Sequence, residues 1–155
     1  ILIECVNAMK FGFEGIHLDL EGEQSDYLDY QLNEAVNNIA LVLGEIPEID
    51  VSCGKTGEQY FYAVNKCKNA HLMCYRKNWW AMWQFAKNCL SKIKIPFYIG
   101  FETGDGDDFE NISYWRLGKK ILDKQIKLTD WFFRLLYGNY KGVSIHYYKT
   151  YSQLK

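Results

Sequence analysis

Five short apolar runs, separated by longer amphipathic stretches, constrain this chain more than any other feature. The runs fall at residues 15–21, 49–53, 70–75, 96–101 and 142–148. Their brevity and richness in apolar residues predict strands buried on both faces. Between the first two, Leu28, Leu32, Ala35, Val36, Ile39 and Leu43 repeat at helical spacing, which predicts a helix over 27–43. Trp79, Trp83, Ala86, Leu90 and Ile93 predict another over 79–93. Two more are expected near 112–122 and 129–137. Residues 1–9 fit the end of a further helix, with Gly12 near its stop. Pro47 and Pro96 each precede a strand-like run. Strand and helix alternating in this way predict parallel strands joined by crossover helices.

The 155 residues predict one α/β domain, 1–155. A closed eight-stranded (β/α)8 TIM barrel takes about 250 residues. The expected fold is therefore an incomplete TIM-type barrel of about five βα units. The alternative is an open, doubly wound parallel sheet. No Gly-rich phosphate loop follows a strand, which argues against a nucleotide-binding sheet.

Composition narrows the partners. A net charge of −1 suggests neither a nucleic-acid surface nor a polybasic membrane patch. The chain has no apolar run long enough to span a membrane. Its opening Ile1-Leu2-Ile3-Glu4-Cys5-Val6 has no signal-peptide character, although an upstream signal would not be visible in it. Five cysteines without a CxxC pair argue against a disulfide framework or a zinc site, and reduced thiols favour an intracellular setting. Asp105, Asp107 and Asp108 lack the later Glu of a calcium loop and read as a solvated turn. Neither a metal nor a cofactor is expected. The 12 Tyr, 9 Phe and 5 Trp suit either a core or a sugar-binding cleft.

The most informative stretch is Glu14-Gly15-Ile16-His17-Leu18-Asp19-Leu20-Glu21. Alternation along a strand puts His17, Asp19 and Glu21 on one face. Polar groups in a row on an inward face are costly unless they pair or serve chemistry. Glu21 would emerge at the carboxyl end of its strand, where barrel active sites sit.

This segment resembles the DGxDxDxE signature on the fourth strand of family 18 glycoside hydrolases, the chitinase-like barrels. Gly15, Asp19 and Glu21 match; Glu14 and His17 stand where the family has Asp. The resemblance implies that Glu21 is the general acid and that Asp19 supports the substrate's acetamido group. His71-Leu72-Met73-Cys74-Tyr75-Arg76 resembles the sixth-strand Met-x-Tyr-Asp, with Arg76 in place of the Asp. Residues 95–100 resemble the seventh strand. Residues 142–148 resemble the eighth, with His146 where chitinases carry Trp. The chain would then hold strands four to eight. The departures at His17 and Arg76 fall where acetamido chemistry needs Asp, so chitin is not the expected substrate.

A second pattern uses Glu102, at the end of the expected seventh strand. Many retaining barrel glycosidases pair an acid/base Glu after strand four with a nucleophilic Glu after strand seven, as Glu21 and Glu102 would. Carboxyls about 5 Å apart indicate retention and about 6.5–9.5 Å inversion. Arg76 is expected to hold one carboxylate ionised. His17, Tyr75, Arg76, Trp80, His146 and Tyr148 are the expected substrate contacts. The expected function is hydrolysis of an oligosaccharide or polysaccharide. The alternatives are a non-catalytic, lectin-like carbohydrate-binding barrel and a barrel domain of other function. A second chain is a possible source of the rest of the barrel.

Overall fold

The computed structural model describes residues 5–7, 15–19, 26–54, 57–106 and 111–154. Glu14 and Glu21 lie outside them. The elements run β1 (His17–Leu18), α1 (Asp26–Leu43), β2 (Glu48–Ser52), α2 (Glu58–Val64), β3 (Ala70–Met73), α3 (Trp79–Leu90) and β4 (Phe97–Glu102). A 3-10 turn (Trp115–Leu117), α4 (Lys119–Leu136), β5 (Tyr140–His146) and α5 (Tyr148–Tyr151) complete the order. The strands form one five-stranded sheet in the order β1-β2-β3-β4-β5, and every pairing is parallel. The domain is thus α/β, as strand–helix alternation predicts.

The sheet has one dry face and one wet one. Ile49, Val51, Ala70, Leu72, Phe97, Ile99 and Phe101 alternate along their strands and are buried. They pack with Leu32, Val36 and Ile39 of α1, Met82 and Ala86 of α3, and Leu122 and Phe133 of α4. The intervening positions Glu48, Asp50, Ser52, His71, Met73 and Tyr98 are only half-buried. This corrects the expectation of strands buried on both faces: the apolar runs alternate with polar residues, and helices cover the apolar side.

Local chemistry accounts for the helix ends. Asn78 caps α3, its side-chain oxygen accepting the Ala81 N–H at 2.8 Å. Gly44 closes α1 at φ 68°, a conformation open to glycine at little cost. The two helices expected near 112–122 and 129–137 are one helix, α4. No Gly or Pro interrupts residues 119–136, so nothing there ends it. The short α2, which buries Tyr60, Phe61, Ala63 and Val64, falls in a stretch assigned no element from sequence. At seven residues it is too short to establish a period.

Many of the described aromatic residues pack in the core. Trp79 and Trp83 pack on Phe132, and Phe97 packs on Tyr137 and Tyr140. The Trp83 indole donates to the Tyr137 hydroxyl at 3.0 Å. All five cysteines are buried and free. Hydrogen bonding with Cys74 and Cys89, together with burial, pushes the Cys53 thiol well above its ordinary pKa. Among the described residues no helix is long and apolar enough to cross a membrane.

Candidate functional site

The wet face carries two imidazole–carboxylate groups. One sits at the carboxyl ends of β4 and β5. Register places Glu102 beside His146, each the last residue of its strand. His146 Nδ1 lies 2.7 Å from Glu102 Oε2, and Glu102 Oε1 accepts the Gly104 N–H at 2.5 Å. Glu102 is 0 % exposed, whereas the His146 side chain is 39 % exposed. A buried carboxylate with both oxygens engaged holds a half-exposed imidazole in one orientation. His146 Nε2 is then the ring nitrogen left to meet a ligand.

The surroundings fix this pair. The Tyr75 ring stacks on His146 with centroids 5.7 Å apart and planes 17° from parallel. It also covers Gly100, where a Cβ would come within 3.0 Å of Tyr75 Cε1 and 3.1 Å of the Leu72 carbonyl oxygen. Only glycine lets that ring approach the strand. The Thr103 hydroxyl donates to the His146 carbonyl at 2.6 Å. Tyr147 follows at φ 62°, a left-handed backbone that non-glycine residues rarely adopt. Such strain clusters at sites where the surrounding structure over-determines the chain. Burial first, then the negative charges of Glu102, Asp50 and Asp19, raise the Tyr75 pKa.

The second group lies nearer the amino ends of β1, β2 and β3. His17 Nε2 lies 3.0 Å from Asp50 Oδ1, and His17 Nδ1 lies 3.8 Å from Glu48 Oε2. His71 Nε2 lies 3.3 Å from the same Glu48 oxygen. Asn69 donates to the other Glu48 oxygen, Oε1, at 2.7 Å. His71 is clamped between rings, stacked on Tyr98 and edge-on to His17, each at 4.8 Å. The hydrogen bond with Asp50 raises the His17 pKa against the opposing effect of burial, with further help from Asp50, Glu48 and Asp19 charge. Burial, then the charge of His17, lowers that of His71. Burial opposes ionisation of Glu48, but hydrogen bonds from Asn69 and His71 outweigh it and lower its pKa.

The expected site residues divide accordingly. Glu102, His146 and Tyr75 come together. Asp19 is exposed, follows β1, and lies within electrostatic reach of both Tyr75 and His17. His17 belongs to the second group. Arg76 requires correction. It donates to the Tyr75 carbonyl at 2.6 Å and lays its guanidinium 3.9 Å from the Phe85 ring centroid. Among the described residues, Arg76 thus meets the Phe85 ring of α3 rather than a carboxylate. Trp80 is half exposed and packs on Trp79 and Trp83 of α3. Tyr148 opens α5 instead of ending β5, because Tyr147 turns the chain first. Its side chain, like all of Glu21, lies outside the described residues.

Glu48, Asp50 and Asn69 were not singled out from sequence. Starting the second strand at Ile49 hid the signal, which is the alternation Glu48-Ile49-Asp50-Val51. No protein-family model matches the chain, and no curated protein matches it.

Proposed function

We propose that this chain supplies five strands of a (β/α)8 barrel and works as a glycoside hydrolase. The strand order supports the barrel. A doubly wound sheet reverses its order at a switch point, whereas this order runs from β1 to β5 without reversal. Right-handed crossovers then put successive helices on one face and leave the other to line a barrel interior. The wet, polar face suits that interior.

The observation that carries the functional reading is the convergence of Glu102, His146 and Tyr75 at the strands' carboxyl ends, with Asp19 in electrostatic reach. Barrel chemistry occupies that end. In this reading Glu21 gives a proton to the leaving glycosidic oxygen and Asp19 stabilises the positive sugar centre, which a water molecule then attacks while passing its proton to the Glu21 carboxylate. Glu102 acts through His146 as a positioning residue, because neither of its oxygens is open to a sugar. His146 and Tyr75 bind sugar hydroxyls. A non-catalytic sugar-binding barrel is the second reading, favoured by the same burial of Glu102, which removes one expected catalytic carboxylate.

A panel of soluble polysaccharides and oligosaccharides, assayed for new reducing ends, separates the readings. The glycosidase reading expects release from at least one. Binding without release would shift the assignment to the sugar-binding reading. Neither binding nor release would contradict both.

A further inference from the structure

We infer that His17, Glu48 and His71 form a binding site for one divalent transition-metal ion of the zinc class. One ligand atom from each of the three lies within 4.8 Å of the others. Around a tetrahedral zinc ion, ligand atoms about 2.0–2.2 Å from the metal stand about 3.2–3.6 Å from one another. The separation of 3.3 Å between His71 Nε2 and Glu48 Oε2 is already in that range, and 3.8 Å between His17 Nδ1 and the same oxygen is close to it. Small side-chain movements close the site.

The outer contacts separate this cluster from an ordinary pair of imidazole–carboxylate bonds. Asp50 engages His17 Nε2 at 3.0 Å, which fixes the tautomer and turns the Nδ1 lone pair toward Glu48. A carboxylate bonded to the far nitrogen of an imidazole is the usual outer partner of a metal-binding histidine. Asn69 holds Glu48 Oε1 and leaves Oε2 as the ligand oxygen. Tyr98 stacks on His71 and sets its ring plane. Two nitrogens thus converge on one oxygen, each ligand steadied from behind. Two imidazoles and one carboxylate suit zinc and its neighbours better than calcium or magnesium, which prefer all-oxygen shells. Glu48, Asp50 and Asp19 supply the negative potential that a cation needs.

The ion would join three strands of the sheet. Among the described residues β1 pairs with β2 through His17 with Glu48 and Leu18 with Ile49. His17, Glu48 and His71 come one each from β1, β2 and β3. A metal bond across them fastens β1 to its neighbours.

Equilibrium dialysis against zinc chloride, with metal analysis of the retained protein, gives the test. One zinc ion per chain is expected. Glu48→Gln is expected to weaken binding by about tenfold or more, and Asp50→Asn by about 10- to 100-fold. At one zinc concentration, zinc is expected to raise the thermal midpoint of the wild-type protein more than that of Glu48→Gln. Cobalt(II) reports the ligands directly even if a variant folds poorly. Nitrogen and oxygen ligation of the wild type gives visible d–d bands without the thiolate charge-transfer band that cysteine would add. No retained zinc, unchanged affinity in Glu48→Gln, or a thiolate band would each overturn the site.

Discussion

Replacing Glu21 with Gln is expected to lower hydrolysis of natural glycans by about 10²- to 10⁴-fold, the range for loss of a positioned general acid. The amide keeps the shape of the side chain but has no proton to give the departing oxygen. The size of the loss should depend on the leaving group. A sugar alcohol leaves poorly without protonation, whereas a dinitrophenolate leaves unaided. Glu21→Gln should therefore retain most of its activity on dinitrophenyl glycosides while losing it on oligosaccharides. Steady-state kinetics on both substrate types make the comparison, with the urea midpoint as a check that the fold is unchanged. Equal loss on both would remove Glu21 from the acid role. No loss on either would remove it from the site.

The second large effect is expected at Glu102. Ala at this position removes the partner of both His146 and the Gly104 N–H. A buried donor left without an acceptor costs about 1–3 kcal/mol, and the vacated volume adds to that. The urea midpoint of Glu102→Ala should fall accordingly. Glu102→Gln separates orientation from stability. Its amide oxygen can still take the Gly104 N–H, but its NH₂ then faces His146 Nδ1, which must become the acceptor. The imidazole changes tautomer and moves its proton to Nε2. Turnover is expected to drop by about tenfold or more, the scale for one hydrogen bond to the substrate left unmade. Stability should stay near that of the wild type. Nitrogen chemical shifts of the His146 ring report the tautomer. Full activity in Glu102→Gln, with the tautomer changed, would show that His146 orientation does not matter to turnover.

The element order was legible in the sequence because two physical signals are local. Apolar runs of strand length and the helical stripes of α1 and α3 each lie within a short window. The sequence of α4 suggests two helices because Lys124, Gln125 and Lys127 dilute its apolar stripe, although all three are good helix formers. The end of β5 was misplaced because Tyr147 and Tyr148 continue an aromatic run, while the turn depends on backbone φ at Tyr147. At the site, Glu102, His146 and Tyr75 were legible as polar or aromatic residues at strand ends. Their hydrogen bonds were not, since register between β4 and β5 sets them across 44 residues. Charge alone suggests a carboxylate partner for Arg76, and nothing in the local sequence reveals that Phe85 lies beneath it. The His17–Glu48–His71 group joins three strands and has no local spacing to betray it.

In the proposed reading, the carboxyl ends of these strands form a sugar-binding site. Titration of ¹⁵N-labelled Glu21→Gln protein with an oligosaccharide that the wild type binds or cleaves tests it most directly. The largest amide shift changes are expected at Asp19, Tyr75, Glu102 and His146. Changes confined to the helical layer around Trp80, Trp131 and Leu135, with the strand ends unmoved, would contradict it.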